Sequence, residues 1–182
     1  MRGLVKGQTV RSLGATRAAN WAVIRSVSKY YGPDLRFAYV AGDEKTIQRL
    51  RIRRSSSTRR VSCIIQHIVL RMMEDAGTAA LLSRAAQKYE DGRVAMKSAL
   101  SKVGIQARGK TGLYLWVPVH DEAGAAQALL QRGWAVRPGN IFRIRSPQGI
   151  RVTPGVIDYQ SAERFAQSLA AINAALLVAH GS

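Results

Sequence analysis

From Trp21 onward, short apolar runs of strand length alternate with longer segments of helical spacing, and this alternation limits the chain to α/β or α+β architectures. Trp21-Ala22-Val23-Ile24 stops at a polar loop, Arg25 to Gly32, and reads as a buried strand. Pro33 disfavours helix at Gly32. Leu35 to Val40, with Phe37 and Tyr39, then reads as a second strand closed by Ala41-Gly42-Asp43. Glu44 to Arg53 has helical spacing through Ile47, Leu50 and Arg51, and Ser55 to Thr58 is a break suited to an N-cap. Val61 to Met73 puts Ile64, Ile65, Ile68 and Val69 on one helix face, and Ala79 to Val103 continues as a long helical segment. Beyond it come a strand over Gly112 to Val119, a helix over Glu122 to Gln131 ended by Gly133, and strands at Trp134-Ala135-Val136 and Gly149 to Thr153. Ser161 is placed as the N-cap of a closing helix, Ala162 to Val178. The texture changes near Gly104, which predicts a leader at 1–20, a helix-rich segment at 21–103 and a small domain at 104–182. No internal repeat has a solenoid period.

Composition sharpens this. The chain has 182 residues, with 28 Lys+Arg against 11 Asp+Glu, a formal charge of 28 − 11 = +17, which invites a polyanion as partner. Hydrophobic residues at 47% against 21% charged exclude a disordered basic tail and supply a core. Cys63 is the single cysteine, so no intramolecular disulfide forms, and a reducing compartment fits. No window has the roughly 18 uncharged apolar residues of a membrane span. Arg2, Lys6 and Arg11 precede no apolar run of signal-peptide type, so the chain reads as cytoplasmic, with no membrane partner. Residues 1–20 show neither strand nor helix period and read as a loosely ordered basic leader.

Four motifs could carry chemistry. Gly104-Ile105-Gln106-Ala107-Arg108-Gly109-Lys110-Thr111 fits G-x-x-x-x-G-K-[ST]. A phosphate loop must follow a strand and open a helix, however, and here the helix precedes and the strand follows, so a turn is the better reading. Arg49, Arg51, Arg53, Arg54, Arg59 and Arg60 could follow a nucleic-acid backbone, but no aromatic residue is interleaved and no DNA- or RNA-binding signature is present; a solvated face is the default. His67, His120 and His180 are scattered, Cys63 is alone and no serine sits in a nucleophile elbow, so neither a metal site nor acyl transfer is expected. Ser26-Val27-Ser28-Lys29 lies directly after a strand, with Arg36 at the entry to the next. A strand-end lysine between hydroxyls and another cation can serve as an imine-forming amine, while the serines and Arg36 can grip a phosphate dianion. Those are the parts a pyridoxal phosphate site needs.

The stretch SVSKYYGPDLRFAYVAGD, Ser26 to Asp43, resembles the lysine-loop motif of fold type I pyridoxal-phosphate aminotransferases, most closely the version in MocR-type transcriptional regulators of the GntR family. The resemblance continues through VSCIIQHIV, GLYLWVPV, QRGWAVRPGNIF and GIRVTP, covering about Trp21 to the C-terminus. It implies an α/β fold made of the end of the large domain plus the small C-terminal α+β domain. It implies pyridoxal 5′-phosphate as cofactor, Lys29 as the residue forming the internal aldimine, and Ser26, Ser28 and Arg36 as holders of the cofactor phosphate. Arg151 matches the arginine that pairs with the substrate α-carboxylate. Ser57, Arg59 and Arg60 fall where the family approaches the neighbouring subunit of a homodimer.

The acid facing the pyridinium nitrogen, the aromatic stacked on the ring and a phosphate-binding turn all lie upstream of the lysine in the family. The first 20 residues match neither that region nor a winged helix-turn-helix. The expectation is a truncated or frame-shifted reading of a longer regulator, with weak cofactor affinity and no efficient turnover for the chain alone. The parent is expected to be a homodimer that senses the cofactor, an amino acid or an amine, and binds DNA through the winged helix-turn-helix absent here. The alternatives are a class I/II aminotransferase, in which Lys29 moves the α-proton and Arg151 aligns the carboxylate, and a basic nucleic-acid binder whose affinity falls steeply with salt.

Overall fold

The computed structural model describes residues 18–55, 61–155 and 157–180, with 177–180 given by backbone alone. Contacts divide the chain into two compact units, one reaching Arg84 and the other starting at Ala85.

In the first unit, β1 (Ala22–Ser26) pairs antiparallel with β2 (Ala38–Gly42), in a register that sets Ala22 opposite Gly42 and Ser26 opposite Ala38. A 3-10 turn, Pro33–Leu35, sits between them and takes Leu35 out of the second strand. Asp43 joins the hairpin to α1 (Glu44–Ser55), its carboxylate accepting from the Trp21 amide at 2.7 Å and the Thr46 amide at 3.0 Å. α2 (Cys63–Glu74) is opened by Ser62, whose hydroxyl accepts from the Ile64 amide. Val27 and Val69 are buried, yet Ile24 is 70% exposed and Ile64 is 72% exposed. The buried strand expected at Trp21 to Ile24 is therefore solvent-facing, because among the described residues β1 has only β2 beside it.

α3 (Ala76–Lys102) crosses from one unit to the other, and its second half helps build the core of the second unit. There β3 (Leu115–Pro118), β4 (Arg137–Pro138) and β5 (Gly149–Val152) form an antiparallel sheet in the order β3-β5-β4. Alternation sends Leu115, Val117, Ile150 and Val152 to one face, where they are buried with Met96, Leu100, Leu129, Phe165 and Leu169. α4 (Glu122–Gln131) and α5 (Tyr159–His180) complete this unit. Two expectations give way here. Trp134 to Val136 is not a strand: Trp134 turns its ring edge-on to Phe165 at 5.5 Å, and only Arg137 and Pro138 reach β5. Ser161 does not cap α5 either; it lies inside the helix and donates its amide to Asp158, which is the capping residue.

Candidate functional site

Chain reversal after β1 creates the lysine loop. The Val27 amide donates to the Phe37 carbonyl at 3.0 Å, and the Tyr30 and Tyr31 amides both donate to the Val27 carbonyl at 2.9 Å. Val27 is buried, so the loop is anchored at its centre while its neighbours point outward. The Ser26 and Ser28 hydroxyls lie 2.8 Å apart, and Lys29 follows them exposed to solvent. The Val27 to Phe37 bond ties the loop to the backbone next to Arg36. Arg36 has φ 46, and it is the described non-glycine residue with positive φ. An arginine held in the left-handed region is a local strain of the kind that clusters at binding sites. Tyr31 is raised above the ordinary phenol range by burial first and by Tyr39 second. Two hydroxyls and an ammonium thus lie within residues 26–29, and Arg36 stands at the far end of the same β1–β2 connection; hydroxyl, ammonium and guanidinium are donor types suited to a phosphate dianion.

An apolar pocket of about 520 Å³ follows in the same unit, lined by Phe37, Tyr39, Gln66, His67, Val69, Leu70 and Met73. His67 is a helix-face histidine, its Nδ1 3.0 Å from the Cys63 carbonyl, and no metal-binding cluster exists among the described residues. No sequence pattern groups these lining residues, since they meet only once β2 and α2 are folded.

Arg151 belongs to the second unit. It occupies the middle strand of the sheet, opposite Trp116 on β3 and Arg137 on β4, on the face away from the core. Its guanidinium carbon lies 3.8 Å from the Phe142 ring centroid and 4.3 Å from that of Tyr114. Its Nε is buried without a hydrogen-bond partner. Stacking of this kind contributes roughly 0.5–2 kcal/mol and orients the planar fork. Arg137 is its cross-strand neighbour, and like charges placed directly opposite are unfavourable without an anion nearby. Tyr114, Phe142 and Arg137 were not singled out in the sequence; the sheet register and the loop before β5 bring them to Arg151.

The Gly104–Thr111 segment is a turn, as its context required. Gly104 has φ 78 and Gly109 has φ 146, and Arg108 exchanges backbone hydrogen bonds with Trp116 at 2.7 and 2.8 Å, so no helix opens after Lys110. Arg49, Arg51, Arg53 and Arg54 are exposed on α1. Ser57, Arg59, Arg60, most of the leader and the His180 side chain lie outside the described residues. Within those residues no helix is long and apolar enough to cross a membrane.

No family model matches the chain. Among curated proteins it is similar to the vitamin B6 salvage pathway transcriptional repressor PtsJ of Salmonella typhimurium, 36% identical over 141 residues, which are 76% of this chain and 33% of that protein. It is also similar to histidinol-phosphate aminotransferase 1 of Cupriavidus pinatubonensis, 33% identical over 152 residues, which are 80% of this chain and 38% of that protein. The chain therefore spans about a third of the length of the curated relatives it matches. Among solved structures, the α-aminoadipate aminotransferase LysN of Thermus thermophilus, complexed with N-(5′-phosphopyridoxyl)-L-leucine, superposes with TM-score 0.72 at 20% identity over 86% of this chain and 42% of that one. The kynurenine aminotransferase of Pyrococcus horikoshii superposes with TM-score 0.74 at 19% identity over 86% of this chain and 41% of that one.

Proposed function

We propose, for a chain that carries the C-terminal part of the fold type I aminotransferase architecture, that Ser26, Ser28, Lys29 and Arg36 grip pyridoxal 5′-phosphate within a MocR-type transcriptional regulator. One observation carries the reading: the two serine hydroxyls stand 2.8 Å apart in the loop that presents Lys29, and that loop is bonded to the backbone beside Arg36. The serine hydroxyls donate to phosphate oxygens, Arg36 adds a charged fork, and Lys29 supplies the amine that holds the carbonyl end of the cofactor. Once bound, the cofactor supplies an electron sink for charge developing next to the amino nitrogen. Arg151, kept flat between Tyr114 and Phe142, aligns the carboxylate of an amino acid or amine-bearing acid. DNA binding in such a regulator is the work of a winged helix-turn-helix, and the working form is a homodimer in the cytoplasm.

The similarity to histidinol-phosphate aminotransferase favours one rival, in which Lys29 Nζ would serve as the general base that takes and holds the substrate α-proton. Borohydride reduction of the protein with pyridoxal phosphate, followed by peptide mapping, tests the shared site. A stable adduct confined to Lys29, and lost in Lys29→Ala, is the expected result. Labelling spread over the other lysines refutes the site. Amino-group transfer from histidinol phosphate or glutamate in the full-length protein distinguishes the enzyme from the regulator.

A further inference from the structure

Glu122 is the buried carboxylate among the described residues, 6% exposed at the first turn of α4. Burying a carboxylate is costly unless it is paired and hydrogen-bonded. Glu122 is both: Oε1 accepts from Arg143 Nε at 2.8 Å and from the Gly149 amide at 2.9 Å. These two donors lie at opposite ends of the segment between the 3-10 turn Gly139–Ile141 and β5. Gly139 packs so closely that a Cβ there would come 2.9 Å from Glu122 Oε1, and a Cβ on Gly149 would come 2.5 Å from Trp116 Nε1. One oxygen thus fixes where the segment leaves the 3-10 turn and where it enters the sheet.

Phe142 directly precedes Arg143, at the edge of that clamp, and its ring forms the nearer wall of the Arg151 guanidinium. Gly149 stands two residues before Arg151 on the same strand. We infer that Glu122 is a positioning residue for Arg151: by holding Arg143 and the Gly149 amide it sets Phe142 against the guanidinium, and so fixes the direction in which the fork meets a carboxylate. Glu122 itself touches no ligand. The inference rests on the reading of Arg151 as a carboxylate binder only for its consequence; the geometric link is a separate statement.

The test is arginine side-chain NMR on the full chain, with maleate as an amine-free carboxylate probe. Flanked by two rings and buried at Nε, Arg151 should give an Nε–H signal shifted upfield of the exposed arginines and slow to exchange. Glu122→Ala should return that signal to the exposed group and weaken maleate binding about tenfold, as expected when a binding group loses its orientation. Glu122→Gln, which keeps the oxygen acceptor, should retain the upfield signal. If Glu122→Ala moves the Gly149 amide but leaves the Arg151 Nε–H signal in place, the inference is overturned and Glu122 is scaffold only. Should Glu122→Ala fail to fold, Arg143→Met decides, since Arg143 is partly exposed and not a member of the hydrophobic core: the same return of the signal supports the inference, and an unmoved signal overturns it. If maleate leaves Arg151 untouched in the parent protein while Glu122→Ala still moves the signal, the carboxylate role of Arg151 fails and the positioning role stands.

Discussion

Asp43 secures the junction of hairpin and helix with a carboxylate held down to about 2, through the Thr46 hydroxyl first and then the Trp21 and Thr46 amides. A folded value below the unfolded one, near 3.9, means that ionised Asp43 stabilises the junction above about pH 4. That contribution is lost as pH falls through about 2. Hydrogen exchange of the Trp21 and Thr46 amides should therefore accelerate on acidification from about pH 4, beyond the intrinsic trend. In Asp43→Asn they should be weakly protected at every pH, and an identical acid profile in that variant would remove the assignment. Lys102 has the opposite sign. Its ammonium donates to the Tyr159 hydroxyl at 2.5 Å and to Glu163 at 3.0 Å, and it is raised to about 12, so its contribution is complete below about pH 10.4 and lost as pH rises through about 12.

Gly92 lies buried in α3, where a Cβ would come 2.5 Å from the Gly155 carbonyl. Alanine normally gains about 1 kcal/mol over glycine inside a helix. At this position overpacking against backbone, typically about 1–3 kcal/mol, opposes the gain, and a carbonyl held by Gly155 at φ 56 cannot rotate away as a side chain would. Gly92→Ala should lower the urea midpoint of the second unit, and a raised midpoint would show that helix propensity wins. This contact was not legible in the sequence, where Gly92 is one glycine in a helical run. Helix α4 was legible at both ends, because Asp121 accepts from the Ala123 and Gly124 amides and Gly133 takes φ 83 just beyond the last turn. The turn after β1 was legible for a similar reason, its hydroxyls and ammonium lying within consecutive residues. The Tyr114, Phe142 and Arg151 stack was not, because only the antiparallel register of β3 with β5 and the clamp at Glu122 bring those three together.

Across the whole molecule, burial is distributed unequally. Among the described residues, the core runs from Met96 to Ile172 and falls in the second unit, whereas the fully buried large side chains of the first are Val27 and Val69. Charge follows the same division, since the exposed arginines of α1 stand in the first unit beside exposed Leu50 and Ile52. The excess of +17 therefore falls partly on a surface with little core behind it. Local opening free energy tracks buried apolar contacts, so strand and helix amides in the second unit should open with higher energy than those of the hairpin. Buried leucine- and phenylalanine-sized side chains contribute about 1.5–3 kcal/mol each, and the second unit holds Leu100, Leu115, Leu129, Phe165 and Leu169 below 2% exposure. Native-state hydrogen exchange on the full chain should give protection of the Leu115, Ile150 and Leu169 amides at least about 100-fold above that of the cross-strand pair Val23 and Ala41, the ratio set by about 2.7 kcal/mol of extra opening energy. Equal protection in the two units would mean that the hairpin draws its stability from contacts other than the buried ones described for it. Adding pyridoxal phosphate then gives the measurement a functional reading: protection should rise in the hairpin around Val27 and Phe37, while the already closed second unit changes little.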